Sequence, residues 1–157
     1  MAATFQSGIA SLERVLELID AEDGNFEWVE LDERDPVGLC YTSGTTGNPK
    51  GVLYEHRSNV IHAITEIQPD VFDMSNRSVV LPIVPMFHAN SWGVPFAAAT
   101  VGAKLVFSAT NDAQVLCDLM HAEGVTHSAG VPTVWLAMFA HMDATGIGYG
   151  ALQHVTI

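Results

Sequence analysis

The feature that most constrains this chain is a loop at residues 41–51, with the sequence Tyr-Thr-Ser-Gly-Thr-Thr-Gly-Asn-Pro-Lys-Gly. Short apolar runs at residues 37–41 and 51–54 flank the loop, and each run predicts a buried β-strand. Glycines allow backbone N–H groups to approach an anion closely, because no Cβ intervenes and positive φ is tolerated. The hydroxyl groups add hydrogen-bond donors and Lys50 adds a positive charge. This strand–loop–strand unit therefore predicts a polyphosphate site, with a flexible hairpin tip as the alternative.

The loop differs from the Walker phosphate loop. That motif has a glycine directly before the lysine and Ser or Thr directly after it, at the start of a helix. Here Pro49 precedes Lys50 and Gly51 follows it, and the chain continues into a second predicted strand. The loop is thus a phosphate-binding candidate of another kind.

Residues 41–52 resemble the phosphate-binding signature of the adenylate-forming (AMP-binding) superfamily, which includes acyl-CoA synthetases, luciferases and the adenylation domains of peptide synthetases. A second segment at residues 85–93, Pro-Met-Phe-His-Ala-Asn-Ser-Trp-Gly, is similar to the second core motif of the same superfamily. It looks like the version found in medium- and long-chain fatty acyl-CoA synthetases. The resemblance extends from about Leu16 to the end of the chain.

The resemblance implies an activity in two steps. ATP activates a fatty acid to an acyl-adenylate, and coenzyme A then takes the acyl group, with Mg²⁺ assisting the first step. Thr42 is the expected Mg²⁺ ligand. The residues expected to bind ATP are Thr42, Ser43, Gly44, Thr45, Thr46, Gly47 and Lys50.

The second motif implies the acyl side of the site. His88 matches the family position at the junction of the nucleotide and acyl sites, where it is expected to orient substrate or act electrostatically in catalysis. Ala89 and Trp92 are the other expected substrate-binding residues, and Trp92 resembles a gate on the acyl tunnel. The plainer alternatives are a core histidine at His88 and an ordinary core aromatic at Trp92.

Members of this family are several times longer than 157 residues. Their later motif with a Tyr-Gly-x-Thr-Glu core, their ribose-binding aspartate and their C-terminal lysine have no counterpart here. We therefore expect a fragment of the large N-terminal domain, with an acidic helical lead-in at residues 1–36 and an α/β portion at residues 37–157. Two alternative functions stay open: a catalytically inactive nucleotide-binding fragment, and an adenylating enzyme for another carboxylic acid.

Composition excludes some function classes. The net charge of −12 argues against nucleic-acid binding, which requires a basic face. The expected partners are a fatty acid or similar carboxylate, ATP and CoA, and a second copy of the chain in a homodimer. Neither a signal peptide nor an apolar run of transmembrane length is visible, so a cytoplasmic location is expected.

Cysteine and histidine positions predict neither a disulfide nor a metal site. Cys40 and Cys117 are far apart, and Cys40 is expected to be a small buried hydrophobic residue. The seven histidines have no ligand spacing, with His141 and His154 isolated in the sequence.

Hydrophobic periodicity predicts an α/β fold of alternating strands and helices with a largely parallel sheet. Ile9, Leu12, Val15, Leu16 and Ile19 indicate a lead-in helix with Ser11 as its N-cap. Further helices are predicted at residues 56–67, 91–101, 112–121 and 132–142. Strands are predicted at residues 79–84, 104–107, 125–128 and 154–157, and Pro82 and Pro85 suggest that the first of them is an edge strand or ends early.

Overall fold

The computed structural model describes residues 14–42 and 47–157, and the chain forms two compact units, Met1–Leu31 and Asp32–Ile157. In the first unit, residues 14–20 form helix α1, as part of the lead-in pattern predicts. Ile9, Ser11 and Leu12 lie outside the described residues. After α1, the rings of Phe26 and Trp28 pack edge to face with 5.0 Å between their centroids.

The second unit begins with an antiparallel hairpin of β1 (Pro36–Thr42) and β2 (Lys50–Glu55). Cys40 pairs with Val52 and Thr42 pairs with Lys50, so the glycine-rich loop connects the two strand ends. Both strands were predicted, but the prediction that they are buried was wrong. Leu39, Tyr41 and Leu53 are all more than half exposed. A two-stranded hairpin has two faces, and among the described residues no second layer covers these side chains.

Helix α2 (His56–Glu66) follows the hairpin directly and ends close to the predicted position. The backbone N–H of Glu55 donates to Ser58 Oγ at 3.1 Å, which closes the first turn. The apolar pattern of α2 does not face a core, because Val60, Ile61 and Ile64 are about half exposed. The buried face of the helix carries Ala63 and, unexpectedly, Glu66.

A four-stranded parallel sheet forms the centre of the unit. Its strands are β3 (Val79–Pro82), β4 (Lys104–Leu105), β5 (His127–Ala129) and β6 (His154–Thr156), in the order β4-β3-β5-β6. The parallel sheet confirms the predicted fold class. Of the two alternatives predicted for this strand, the early end is observed: β3 ends at Pro82 and is an inner strand of the sheet.

The connections between strands contain α3 (Ala89–Trp92), α4 (Val94–Val101), α5 (Ala113–Glu123) and α6 (Pro132–Thr145). Helix α5 begins where Asp112 Oδ1 accepts a hydrogen bond from the Val115 N–H at 3.1 Å. Helix α6 begins at Pro132, whose missing N–H costs nothing in the first turn. These local signals explain why the helix positions were predictable.

Two hydrophobic clusters cover the two faces of the sheet. One joins β3 to α5 and α6 through Leu81, Leu116, Met120, Trp135 and Met138. The other joins β3 to α2 and α4 through Val80, Ala63, Val94, Ala97 and Ala98. Neighbouring residues of β3 thus enter opposite clusters, as the alternation of side chains along a strand requires. The result is a helix–sheet–helix sandwich.

Candidate functional site

The second motif contains a left-handed turn in the connection between β3 and α4. Ala89, Asn90, Ser91 and Trp92 have φ angles between +46° and +57°, and Gly93 follows at +82°. Only glycine adopts this region freely, and each other residue is held there at a cost of about 1–2 kcal/mol. The prediction of a helix from residue 91 to 101 was therefore wrong at its start, since right-handed α4 begins only at Val94.

Specific hydrogen bonds hold this turn. Ser91 is fully buried, and its Oγ donates to the carbonyl oxygen of Val84 at 2.6 Å. The Ser91 N–H donates to the His88 carbonyl at 3.0 Å. From the hairpin, the Cys40 thiol donates to Asn90 Oδ1 at 3.2 Å. Cys40 is thus half buried and engaged in a polar contact, which corrects the prediction of a buried apolar residue.

A cavity of about 380 Å³, the hairpin cavity, lies between the hairpin and the turn. Its lining brings together Thr42, from the end of β1, with His88 and Ala89, from the second motif. The remaining lining residues are Cys40, Tyr41, Val52, Tyr54 and Phe87. Two motifs far apart in the sequence therefore meet at one cavity, and the second motif belongs to the segment that leaves the carboxyl end of β3, the edge at which ligands bind in open α/β sheets.

A second cavity, of about 450 Å³, lies between α2 and the turn and is called the helix cavity here. Its lining includes Trp92 and Gly93 from the turn, and it shares Tyr54 and Ala89 with the hairpin cavity. Its polar lining residues are Ser58, Asn59, His62 and Asn90.

The other predicted site residues divide into two groups. Gly47 and Lys50 are described: both are exposed, and Lys50 begins β2. Lys50 forms no ion pair with residues 14–42 or 47–157. Ser43, Gly44, Thr45 and Thr46 lie outside the described residues.

The hydroxyl oxygen of Thr42 is the kind of ligand that a Mg²⁺ ion accepts. Its hydroxyl donates to the Lys50 carbonyl at 3.4 Å, which leaves the oxygen lone pairs available to a cation. Within the described residues, no group of three or more His, Cys, Asp or Glu side chains could hold a metal ion. Mg²⁺ in nucleotide sites takes much of its coordination from phosphate oxygens and water, so one hydroxyl suits such a site.

Sequence reasoning missed a buried carboxyl behind the helix cavity. Glu66 is 8% exposed, and burial raises its pKa to about 7. Its Oε2 lies 3.5 Å from His62 Nδ1 but accepts no hydrogen bond from any of the described residues. A pattern of apolar and polar residues does not predict such a position, because a glutamate in a helix is ordinarily solvated.

Sequence spacing also missed a pair of histidines at the amino ends of two strands. Parallel pairing places His127 beside His154, with their rings stacked at 4.6 Å, although His154 is isolated in the sequence. Burial lowers the pKa of His127, and the neighbouring His154 lowers it further. Because this pair lies at the amino ends of the strands, it is separate from the two cavities.

Comparison with known proteins identifies the family. The profile of the family described as AMP-binding enzyme matches residues 6–156, which is nearly the whole chain. This chain belongs to the AMP-binding enzyme family. The resemblance found in the two motifs is thereby confirmed.

Relatives within the AMP-binding family are named as CoA ligases. The medium-chain-fatty-acid–CoA ligase of Ectopseudomonas oleovorans is 47% identical over 142 residues, which cover 90% of this chain and 26% of the relative. The 3-methylmercaptopropionyl-CoA ligase of Ruegeria lacuscaerulensis is 44% identical over 150 residues, which cover 95% of this chain and 28% of the relative. The chain thus spans about a quarter of the length of these curated relatives.

Solved structures of the AMP-binding family have the same architecture. The inhibitor-bound N-terminal domain of FACL13 from Mycobacterium tuberculosis superposes with a TM-score of 0.77 at 26% identity, over 89% of this chain and 35% of that one. Within the described residues, no helix combines the length and the hydrophobicity needed to cross a bilayer.

Proposed function

We propose that this chain carries part of the adenylation site of an acid–thiol ligase that converts a fatty acid to its CoA thioester. The observation that supports this proposal most is the hairpin cavity, where Thr42 of the phosphate motif meets His88 and Ala89 of the second motif. The family membership and the names of the relatives agree with it. ATP and CoA are the co-substrates of this proposal.

The chemical problem in the first step is charge. A carboxylate must approach the α-phosphate of ATP, so two anions come together and need neutralisation and positioning. Exposed Lys50 and the loop at residues 42–47 would bind the β- and γ-phosphates, and Thr42 would hold Mg²⁺. When bound, the ion would supply positive charge to the phosphates, and the loop would fix their position.

His88 and Trp92 would act on the carboxylic acid. His88 lines the hairpin cavity with Thr42, so its imidazole can donate a hydrogen bond to the carboxylate or to the developing acyl phosphate. Trp92 lines the helix cavity on the other side of the turn, which makes that cavity the candidate acyl site. Ala89, shared by both cavities, would lie at the reacting carboxyl group.

Another carboxylic acid is the second candidate substrate. The helix cavity has four polar residues in its lining, and one relative is named for 3-methylmercaptopropionate rather than for a fatty acid. The mechanism would be the same for both substrates, because the carboxylate and the nucleotide would bind in the hairpin cavity and the substrates differ only in the tail.

Two measurements on the 157-residue chain test the proposal. Calorimetry with Mg-ATP should show binding that is weakened about tenfold or more in Lys50→Ala, the effect of one charge-assisted hydrogen bond. Lys104→Ala is the matched control, because Lys104 pairs with Glu123 at a distance from the cavities and should leave Mg-ATP affinity unchanged. Exchange of pyrophosphate into ATP that depends on a carboxylic acid then tests turnover.

The outcomes separate the alternatives. Binding with carboxylate-dependent exchange supports a ligase, and the acid that gives the fastest exchange identifies the substrate class. Binding without exchange supports a nucleotide-binding chain that lacks turnover. Equal Mg-ATP affinities for Lys50→Ala, Lys104→Ala and the unmodified chain would contradict the assignment of Lys50.

A further inference from the structure

The buried carboxyl of Glu66 has an oxygen that accepts no hydrogen bond from the part of the chain that the structure describes, and it lies next to His62, which lines the helix cavity. Its side chain is 10% exposed, and Oε2 accepts no hydrogen bond within residues 14–42 and 47–157. A buried polar atom without a partner costs about 1–3 kcal/mol, so native structures rarely contain one without a reason. Among the described residues, Glu66 Oε2 therefore still needs a hydrogen-bond donor.

His62 connects this carboxyl to the helix cavity. The two residues are one turn apart on α2, and His62 Nδ1 is the polar atom 3.5 Å from Glu66 Oε2. The His62 side chain is 56% exposed and lines the helix cavity, and no hydrogen bond from the described residues engages its other nitrogen, Nε2. The imidazole ring of His62 therefore lies between the Glu66 carboxyl and the helix cavity.

Gly93 holds this arrangement against the left-handed turn. A Cβ at Gly93 would lie 2.6 Å from the His62 ring and 3.0 Å from Glu66 Oε2. The close approach is available only to glycine, which also suits the φ of +82° at this position. His62 and Glu66 are thus packed directly against Gly93, the residue that follows Trp92, which we assign to the acyl side.

We propose that His62, supported by Glu66, recognises a hydrogen-bond donor on the tail of the acid substrate. The preferred substrate class is then a carboxylic acid whose tail carries a hydroxyl or an ammonium group, rather than an unsubstituted fatty acid. This inference rests on the proposed function, because it takes the helix cavity to be the acyl site.

The recognition works through the tautomer of the imidazole. A donor on the substrate that hydrogen-bonds to Nε2 requires Nε2 to be the acceptor, which places the ring proton on Nδ1. Nδ1–H then faces Glu66 Oε2, and a small movement of the ring gives the buried carboxyl its missing partner. An unsubstituted tail offers no donor to Nε2, so it does not favour this tautomer and does not supply the missing partner of Glu66.

The test uses the 157-residue chain and pairs of non-hydrolysable acyl-adenylate analogues. Each pair has the same chain length, and one member carries a hydroxyl or an ammonium group at a chosen tail carbon. Calorimetry should show that the best substituted analogue binds about tenfold more tightly than its unsubstituted partner, the effect of one hydrogen bond to a polar side chain. The hydroxyl and ammonium series distinguish a neutral donor from a cation.

Variants assign the preference to these residues. His62→Phe keeps a ring but has no nitrogen, so it should abolish the preference for the substituted analogue. Glu66→Gln should reduce that preference in part. His62→Gln retains a polar group at the position and should restore some of it. His121→Phe is the matched control, because His121 lies on α5 and hydrogen-bonds the Cys117 carbonyl of its own helix.

A second measurement needs no variant. Nitrogen-15 NMR of the unmodified chain should show His62 moving to the tautomer with the proton on Nδ1 when the substituted analogue binds. Equal affinities within every pair, or an unchanged His62 tautomer, would overturn the inference while the proposed function stands. If no analogue binds at all, the proposed function fails and the inference fails with it.

Discussion

The parallel sheet and the hairpin of the second unit use apolar residues in opposite ways. In the sheet, Val80 and Leu81 of β3 are fully buried between two layers of helices. In the hairpin, Leu53 is 62% exposed and Tyr41 is 66% exposed. The sheet therefore supplies the stability of the unit, whereas the hairpin presents its side chains to the cavity and to solvent.

Helix α2 joins the two regions and shows the same contrast across its own faces. The face against α4 buries Ala63 and Glu66, while Ile61 and Ile64 are about half exposed. The helix thus buries the carboxyl of Glu66, which loses hydration, and leaves the apolar side chains of Ile61 and Ile64 partly in solvent. The carboxyl of Glu66, unpaired among the described residues, lies next to His62 of the helix cavity, and such a buried group is typical of functional sites.

The largest expected effect is on the free energy of unfolding, and it compares a Leu→Ala substitution in the sheet with the same substitution in the hairpin. Leu81→Ala should lower the free energy of unfolding by about 3 kcal/mol, because it removes a fully buried side chain and leaves a cavity. Leu53→Ala, the matched control in the hairpin, should change it by less than about 1 kcal/mol, because much of that side chain is already hydrated.

Urea denaturation of both variants measures this difference. A cost for Leu53→Ala as large as that for Leu81→Ala would show that the hairpin side chains are covered in solution. Repeating the titration at several protein concentrations would then identify self-association as the cause.

The next effect concerns the buried carboxyl of α2. Because burial raises the pKa of Glu66 from 4.5 to about 7, the folded chain holds a proton that the unfolded chain releases between those two values. Stability from this group is complete below pH 4.5 and is lost as the pH rises to about 7, by up to about 3 kcal/mol. Glu66→Gln should remove this loss.

The measurement is the difference in unfolding free energy between Glu66→Gln and the unmodified chain across pH 4.5–7.5. The stability of Glu66→Gln relative to the unmodified chain should increase as the pH rises. Asp70→Asn, at an exposed position of the same unit, is the control and should show no such trend. A constant difference for Glu66→Gln would mean that the carboxyl is solvated.

The smallest effect tests the contact between the turn and α2. Gly93→Ala should cost about 2 kcal/mol, because its Cβ meets the His62 ring at 2.6 Å in addition to the strain of positive φ. Gly102→Ala, at the other end of α4, has a φ of +70° with nothing within 4 Å of its Cβ, so it should cost only about 1 kcal/mol. Thermal unfolding compares the two variants, and equal losses would show that His62 does not pack against Gly93.

Periodicity and local signals made most elements predictable. The helices α2, α5 and α6 and the strands β1, β2, β3, β5 and β6 lie close to their predicted positions. Local hydrogen bonding and turn residues act over a few positions, so a single sequence contains the information. The burial of the hairpin was not predictable in this way, because burial depends on which layers pack against a strand.

The left-handed turn was the main failure of prediction in the site. Ala89, Asn90, Ser91 and Trp92 have no shared preference for positive φ, and only Asn tolerates it well. The turn is held by a hydrogen bond from Ser91 to the Val84 carbonyl in the preceding segment and by a long-range hydrogen bond from Cys40 of the hairpin to Asn90. Local propensity cannot predict a conformation that is held by tertiary contacts.

By itself, the sequence determined the family, the parallel α/β architecture and the two motifs, since these depend on residue type and spacing along the chain. Only the tertiary structure decided that Thr42 and His88 share a cavity, that His62 stands between a cavity and the buried Glu66, and that Gly93 packs against both. The physical reason is that a shared cavity, the burial of Glu66 and the contact with Gly93 all depend on how distant segments pack, and spacing along the chain does not specify that packing.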